Sequence, residues 1–232
     1  MRVSSEFSKY AAHYKKHNII QEKVAQKLIS LVKEQPKYIL DLGCGDGAVC
    51  RALSHKYKHL TAVDFAKGML EIHPKAKNIE CLYGNFNDYT LFENLLAFGQ
   101  YDYIFSSSAL QWSDDLEKTF QNIHSLNAPV ALAIFTSNTF KSIYKIAGLQ
   151  PILKSVQEIN KLQKKYFNAN FEVVNYKLTF ESTRNMFRYI KQSGVSGSRR
   201  VLSYKQTKAL MNNYPLNYLE FEVVFITSFS KS

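Results

Sequence analysis

Short apolar runs alternate with stretches of helical period along the first 136 residues, and this alternation sets the plan of the chain. In residues 19–33, Ile20, Val24, Leu28 and Leu31 recur at helical spacing while Lys23, Lys27 and Lys33 fall elsewhere, so the segment reads as an amphipathic helix. Pro36 ends it. The run Tyr38-Ile39-Leu40-Asp41-Leu42 then reads as a short buried strand entering Gly43-Cys44-Gly45-Asp46-Gly47. Helical spacing resumes over 48–57. Residues 60–63 give a second strand ending at Asp64, and 67–72 begin another helix. Apolar runs at 79–83, 101–106 and 130–136 supply a third, fourth and fifth strand, with helical patterns between them, notably at 115–126. Strands separated by helices at this interval are βαβ units, which build a parallel sheet.

The last third of the sequence changes character. Residues 171–180 and 218–229 are both rich in β-formers, with two helical patterns, 183–192 and 204–213, between them. A strand, a helical insertion and a returning final strand imply an antiparallel edge with a small cap. The expected layout is one domain: leading helices in 1–35, a sheet core in 36–180 and 216–232, and a cap in 181–215. A chain of 232 residues lies below the size, about 250–300, at which single cores stop growing. No internal repeat or low-complexity linker interrupts it.

Composition narrows the classes. Apolar residues make up 46% and charged ones 21%, a globular balance able to fill a core. The N-terminal Met1-Arg2-Val3-Ser4-Ser5-Glu6 lacks the apolar stretch of a signal peptide, and the longest apolar run is far below the roughly 20 residues of a membrane span. Three cysteines, Cys44, Cys50 and Cys81, without CxxC spacing indicate neither a disulfide framework nor a zinc site, and a reducing cytoplasm is the economical setting. Thirty basic against nineteen acidic residues give a net charge of +11. That field favours anionic partners, whether nucleic acid, anionic membrane or an acidic carrier protein, and equally describes a solvated lysine-rich surface.

Candidate chemistry centres on the glycine loop. Glycines between a strand and a helix allow a sharp turn and close backbone approach to a ligand. Asp64 follows Gly43 by 21 residues, at the end of the second strand, where a carboxylate accepts both ribose hydroxyls of a nucleoside cofactor. Gly43-x-Gly45-x-x-Ala48 also satisfies the dinucleotide fingerprint. Asp41 and Asp46 together would repel a pyrophosphate, whereas a carboxylate two residues before Gly43 suits an ammonium or a sulfonium. A Tyr204-x-x-x-Lys208 pair has dehydrogenase spacing but sits on no strand. The loop therefore reads as a seat for S-adenosylmethionine. After the third strand, Asn85 is placed to meet the adenine edge and Phe86 to cover it. Asp41, Gly43, Cys44, Gly45, Gly47, Asp64, Phe65, Met69, Asn85, Phe86 and Ser106 make up the expected cofactor shell. The loop Ser106-Ser107-Ser108-Ala109-Leu110-Gln111-Trp112 follows the fourth strand, where the methyl group emerges toward substrate.

Other signals are weaker. His13 with His17, and His55 with His59, have the spacing of two ligands on one helix face but lack a third ligand, so no metal is expected. The serine triplet lacks a G-x-S-x-G elbow. The loop after the fourth strand has no proline, unlike the Asn/Asp-Pro-Pro-Tyr loops of base-amine methylation, which disfavours a nucleic-acid substrate.

Several segments together carry a family resemblance. Phe7-Ser8-Lys9-Tyr10-Ala11-Ala12-His13-Tyr14-Lys15-Lys16-His17, Ser108-Ala109-Leu110-Gln111-Trp112, Ile190-Lys191-Gln192-Ser193-Gly194-Val195-Ser196-Gly197 and Tyr214-Pro215-Leu216-Asn217-Tyr218 resemble, in order and spacing, segments of the malonyl-carrier-protein O-methyltransferases of biotin synthesis. Two departures stand out: Ser107 where the family usually has Asn, and Asn127-Ala128-Pro129 where methyltransferases commonly carry Pro-Gly-Gly. The resemblance implies a Rossmann-like class I methyltransferase sandwich, with a mostly parallel seven-stranded sheet, an antiparallel last strand and a small helical cap. It implies methylation of a malonyl thioester's free carboxylate, with an acidic acyl carrier protein as partner and no membrane. No catalytic dyad is expected. Tyr14 and Gln111 are the positioning candidates, and Tyr10, Tyr14, Gln111, Trp112 and Arg199 line the substrate side. Other small carboxylates or quinones, RNA, or a catalytically silent cofactor-binding adaptor remain as alternatives.

Overall fold

A computed structural model describes residues 18–192 and 204–229. Its strands are β1 Tyr38–Leu42, β2 His59–Asp64, β3 Ile79–Tyr83, β4 Tyr103–Ser107, β5 Val130–Phe135, β6 Ala169–Thr179 and β7 Tyr218–Ser228. They form one sheet in the order β3-β2-β1-β4-β5-β7-β6. β1 to β5 pair in parallel, and β7 runs against both β5 and β6. The helices are α1 Ile19–Ser30, α2 Ala48–Ala52, α3 Lys67–Ile72, α4 Tyr89–Phe98, α5 Leu116–Ser125, α6 Lys141–Ala147, α7 Val156–Tyr166, α8 Thr183–Gln192 and α9 Tyr204–Asn213.

Successive strand residues feed two cores, as the pleat requires. Ile39, Phe105, Ala131, Ala133 and Phe135 pack on one face with Ile20, Val24 and Leu28 of α1. Leu40, Leu42, Ile104, Leu132 and Ile134 pack on the other with Phe92 of α4, Phe120 and Ile123 of α5 and Ile159 of α7. Both faces are covered, which is why these strands read as continuous apolar runs.

The antiparallel edge that the sequence suggests is the pair β7 and β6, with β6 outermost. β7 lies between β5 and β6, paired with β6 over its whole length from Tyr218↔Thr179 to Ser228↔Ala169. Burial explains the order. Residues 223–226 of β7 are all buried, whereas β6 alternates exposed and half-buried positions, so β7 suits the interior and β6 the rim. Met186 and Tyr189 of α8 are buried in the same core as α1, so part of the segment read as a cap is packed against the sheet.

Topology then locates a crevice. β2 and β4 flank β1 on opposite sides, and the chain crosses from β3 at one edge to β4 beyond β1. In a doubly wound sheet, ligands bind outside the carboxyl ends of the strands at such a reversal. The glycine loop, Asp64 and the serine loop all leave strands at that end.

Candidate functional site

The glycine loop is folded back on β2: Gly43 and Cys44 both donate their N–H to the Val63 carbonyl, at 2.8 and 3.0 Å. Gly43 takes φ +74°, and a Cβ there would stand 2.3 Å from the Ala109 Cβ, so only glycine lets the two loops touch. Gly47, at φ +88°, turns the chain into α2 against Pro74 and His73. Asp64 braces the loop from the side. One carboxylate oxygen accepts the Gly45 N–H at 2.9 Å and the other the Ala66 N–H at 2.8 Å. Each oxygen retains a lone pair for a further donor.

Two carboxyls here are held above their ordinary range. Asp41 is fully buried, neither of its oxygens has a partner, and burial, aided by the nearby Asp64 charge, pushes it up to about 8. Burial also pushes Asp64 up to about 6, against three backbone N–H groups that favour its charged form. Asp46 differs. It is buried but meets Arg51 at 2.9 Å and the Asn18 amide at 3.1 Å, and Arg51 also bridges to Glu22. These links bind the start of α1 to the glycine loop and bring Gln21 to the same cleft. They also offset the Asp46 charge, which weakens the electrostatic case against a pyrophosphate.

A single cleft joins these parts. Gly43, Cys44, Gly45 and Asp46 form one wall, Asp64, Phe65 and Met69 a second, and Ser107, Ser108, Ala109 and Trp112 a third. Gln111 and Trp112 also line an adjoining hollow with Ile152, Leu153 and Lys154, residues from a stretch in which the sequence shows no motif. Gln111 donates its amide N–H to the Ser108 carbonyl at 2.6 Å.

Several expected residues stand elsewhere. Ser106 is fully buried and donates its hydroxyl to the Leu42 carbonyl at 2.6 Å, so it ties β4 to β1, and Ser107 and Ser108 take its place on the wall. Asn85 is exposed, its side-chain oxygen accepting the Asn87 N–H in a local turn. Phe86 lies behind the glycine loop, edge-on to Phe65. Tyr10, Tyr14 and Arg199 lie outside the described residues. Gln21, Asp46 and Ala48 are wall residues that the expected cofactor shell did not include. For Gln21 no local signal exists, because its place depends on how α1 docks. Among the described residues no group of three or more potential ligands is arranged to hold a metal, and no helix is long and apolar enough to cross a membrane.

Comparison with known proteins agrees with this geometry. Residues 39–129 match the family described as "Methyltransferase domain". The chain is 30% identical to the malonyl-[acyl-carrier protein] O-methyltransferase of Bacillus cereus over 61% of its own length and 55% of that protein. It is 27% identical to the Chlorobium phaeovibrioides protein of the same name over 85% and 80%, and 26% identical to the one from Buchnera aphidicola over 93% and 91%. For the Bacillus anthracis relative the match covers 65% of that protein, so against the two Bacillus relatives the chain spans between half and two thirds of their length. Among solved structures, the YcgJ protein of Bacillus subtilis superposes with a TM-score of 0.60 at 13% identity, covering 89% of this chain and 99% of that one. Phosphoethanolamine N-methyltransferase 2 of Haemonchus contortus, solved with S-adenosyl-L-methionine, gives 0.52 at 14% identity, covering 89% and 52%. At these identities the structures establish the fold alone.

Residues 39–129 thus match a methyltransferase domain, and the sheet that carries it has the strand order described above. The curated relatives to which the chain is similar are named malonyl-[acyl-carrier protein] O-methyltransferases.

Proposed function

We propose that the chain methylates the free carboxylate of a malonyl thioester carried on acyl carrier protein, masking its charge as a methyl ester on the way to biotin. The observation that carries this reading is the lack of a general base on the described cleft walls. Among the described residues no histidine, lysine or arginine lines the cleft, Asp46 is neutralised by Arg51, and both Asp64 oxygens accept backbone N–H groups. A hydroxyl or amine substrate needs its proton removed, but a carboxylate at pH 7 is already ionised. Positioning and exclusion of water are then sufficient.

The residues fit S-adenosylmethionine, which when bound supplies a methyl group on a sulfonium sulfur. The test is Asp41: a fully buried carboxyl with two unpaired oxygens is costly unless a cation or donor meets it, and the cofactor brings an ammonium and a sulfonium. In this reading Asp41, Gly43, Cys44, Gly45 and Gly47 hold the methionine end, and Asp64 accepts the ribose hydroxyls. Phe65 and Met69 flank the base. Tyr10, Tyr14, Gln111, Trp112 and Arg199 enclose the substrate side. The +11 charge suits an acidic carrier protein.

The test is transfer of labelled methyl to malonyl carrier protein, malonyl-CoA and RNA in parallel. Incorporation into the malonyl carrier protein, released by mild base as an ester is, is the expected result. Transfer to RNA alone, or to none of the three, overturns the proposal.

A further inference from the structure

The loop after β4 holds two hydroxyls in an unusual state. The Ser107 and Ser108 Oγ atoms are both buried and neither has a hydrogen-bond partner, although both residues line the cleft. A buried hydroxyl left unmade is costly, and native structures rarely keep two in succession without a ligand to meet them.

The backbone beneath them is strained as well. Ser108 takes φ +61°, one of three non-glycine residues with positive φ among those described. Three contacts hold it there. Its N–H is donated to the Ala133 carbonyl at 2.9 Å, its carbonyl accepts the Gln111 amide at 2.6 Å, and Ala109 is wedged against Gly43. Strain of this kind persists only where the surroundings impose it, and it gathers at ligand clamps.

We propose that Ser107 and Ser108 are a pair of neutral donors that together hold a carboxylate in the cleft. The proposal rests on the methyltransferase reading, which supplies two carboxylates: that of the substrate and that at the methionine end of the cofactor. Neutral hydroxyls suit either. They replace the water lost on entry, yet unlike an arginine they do not neutralise the anion. Repulsion nearby is limited, because Asp46 is paired with Arg51. Asp64, at the end of β2, is engaged by the Gly45 and Ala66 amides.

The test uses the full chain and its Ser107→Ala, Ser108→Ala and Ser108→Gly variants, titrated calorimetrically with S-adenosylhomocysteine and with its decarboxylated analogue, and assayed for KM on malonyl carrier protein. A hydrogen bond to a charged group is worth about tenfold or more in affinity. If the pair holds the cofactor, each variant binds S-adenosylhomocysteine at least about tenfold more weakly and the decarboxylated analogue as before. If it holds the substrate, S-adenosylhomocysteine binding is unchanged and KM rises by a similar factor. Ser108→Gly separates hydroxyl from strain, since glycine accepts φ +61° at no cost. It should lose as much affinity as Ser108→Ala while melting no lower than the unmodified protein. Unchanged affinities and KM in the alanine variants, equal weakening of the decarboxylated analogue, or full function in Ser108→Gly each overturn the donor pair. Failure of the unmodified protein to bind S-adenosylhomocysteine at all would instead remove the methyltransferase reading on which it rests.

Discussion

Gly43 and Ala109 face each other across the mouth of the cleft with no room for one more methyl group: a Cβ on Gly43 would lie 2.3 Å from the Ala109 Cβ. The contact fixes the distance between the loop after β1 and the loop after β4. Gly43→Ala adds a clash and places a side chain at φ +74°, so it should lower stability by about 2–4 kcal/mol. Adding Ala109→Gly restores the space but not the backbone preference. Thermal melts should therefore show partial rescue in the double variant, and full rescue would mean that strain contributes nothing.

Asp41 predicts a conflict between stability and binding. Its carboxyl sits near 8 in the folded chain against 3.8 for an unperturbed one. A raised folded value means that the group's contribution is fully present below about pH 4 and is lost as pH climbs through 8. Asp41→Asn removes that loss. It should melt about 2–4 °C higher than the unmodified protein at pH 8, with the advantage shrinking toward pH 5. The same variant should bind S-adenosylhomocysteine more weakly. Because a cationic ligand favours the ionised carboxylate, binding to the unmodified protein at pH 7 should release a proton, detectable as a buffer-dependent calorimetric heat. No buffer dependence would separate Asp41 from the cofactor.

Asp64 makes a narrower prediction. Replacing it with alanine removes the acceptors proposed for the ribose and unties Gly45 and Ala66, so cofactor affinity should fall at least tenfold, for about 1.5–3 kcal/mol per charged hydrogen bond. Its raised value, about 6, places the acid limb: affinity should decline as pH drops through 6. Tight NADH binding by the unmodified chain would contradict the assignment altogether.

The Arg51 cluster sets the position of α1. Arg51→Met removes the cation 2.9 Å from the buried Asp46 carboxylate and with it the bridge to Glu22. A loss of about 1–3 kcal/mol is expected, along with faster hydrogen exchange in residues 18–24. Exchange unchanged there would show that core packing alone holds the helix.

Much of this was legible in the residues. β1 and β3 begin and end where their apolar runs do, and α3, α8 and α9 match their periodic segments. The misses have local causes. The helix expected over 48–57 stops at Ala52 because Leu53 is extended and His55 turns to bond the Pro36 carbonyl at 2.9 Å. β4 starts at Tyr103 because Asp102 is occupied in accepting the N–H groups of Lys37 and Tyr38. At the site, the glycines and Asp64 were readable because their chemistry depends on type and spacing. Ser106 was not, because whether a serine faces a ligand or a neighbouring strand depends on the pleat and its register. The pairing of Arg51 with Asp46 depended on the third dimension in the same way.

The place of β7 has a consequence for how the protein is made. Among the described residues, 218–228 form the one strand that β6 pairs with, and they separate β6 from β5. During synthesis β1 to β5 emerge first and can assemble in order, while residues 169–179 leave the ribosome with no partner strand. Until some fifty further residues follow, that segment and the open side of β5 are two unpaired edges on one nascent chain. The interval between them is where a chaperone is most needed, and shortening the chain before Tyr218 should yield an aggregating product rather than a smaller working enzyme.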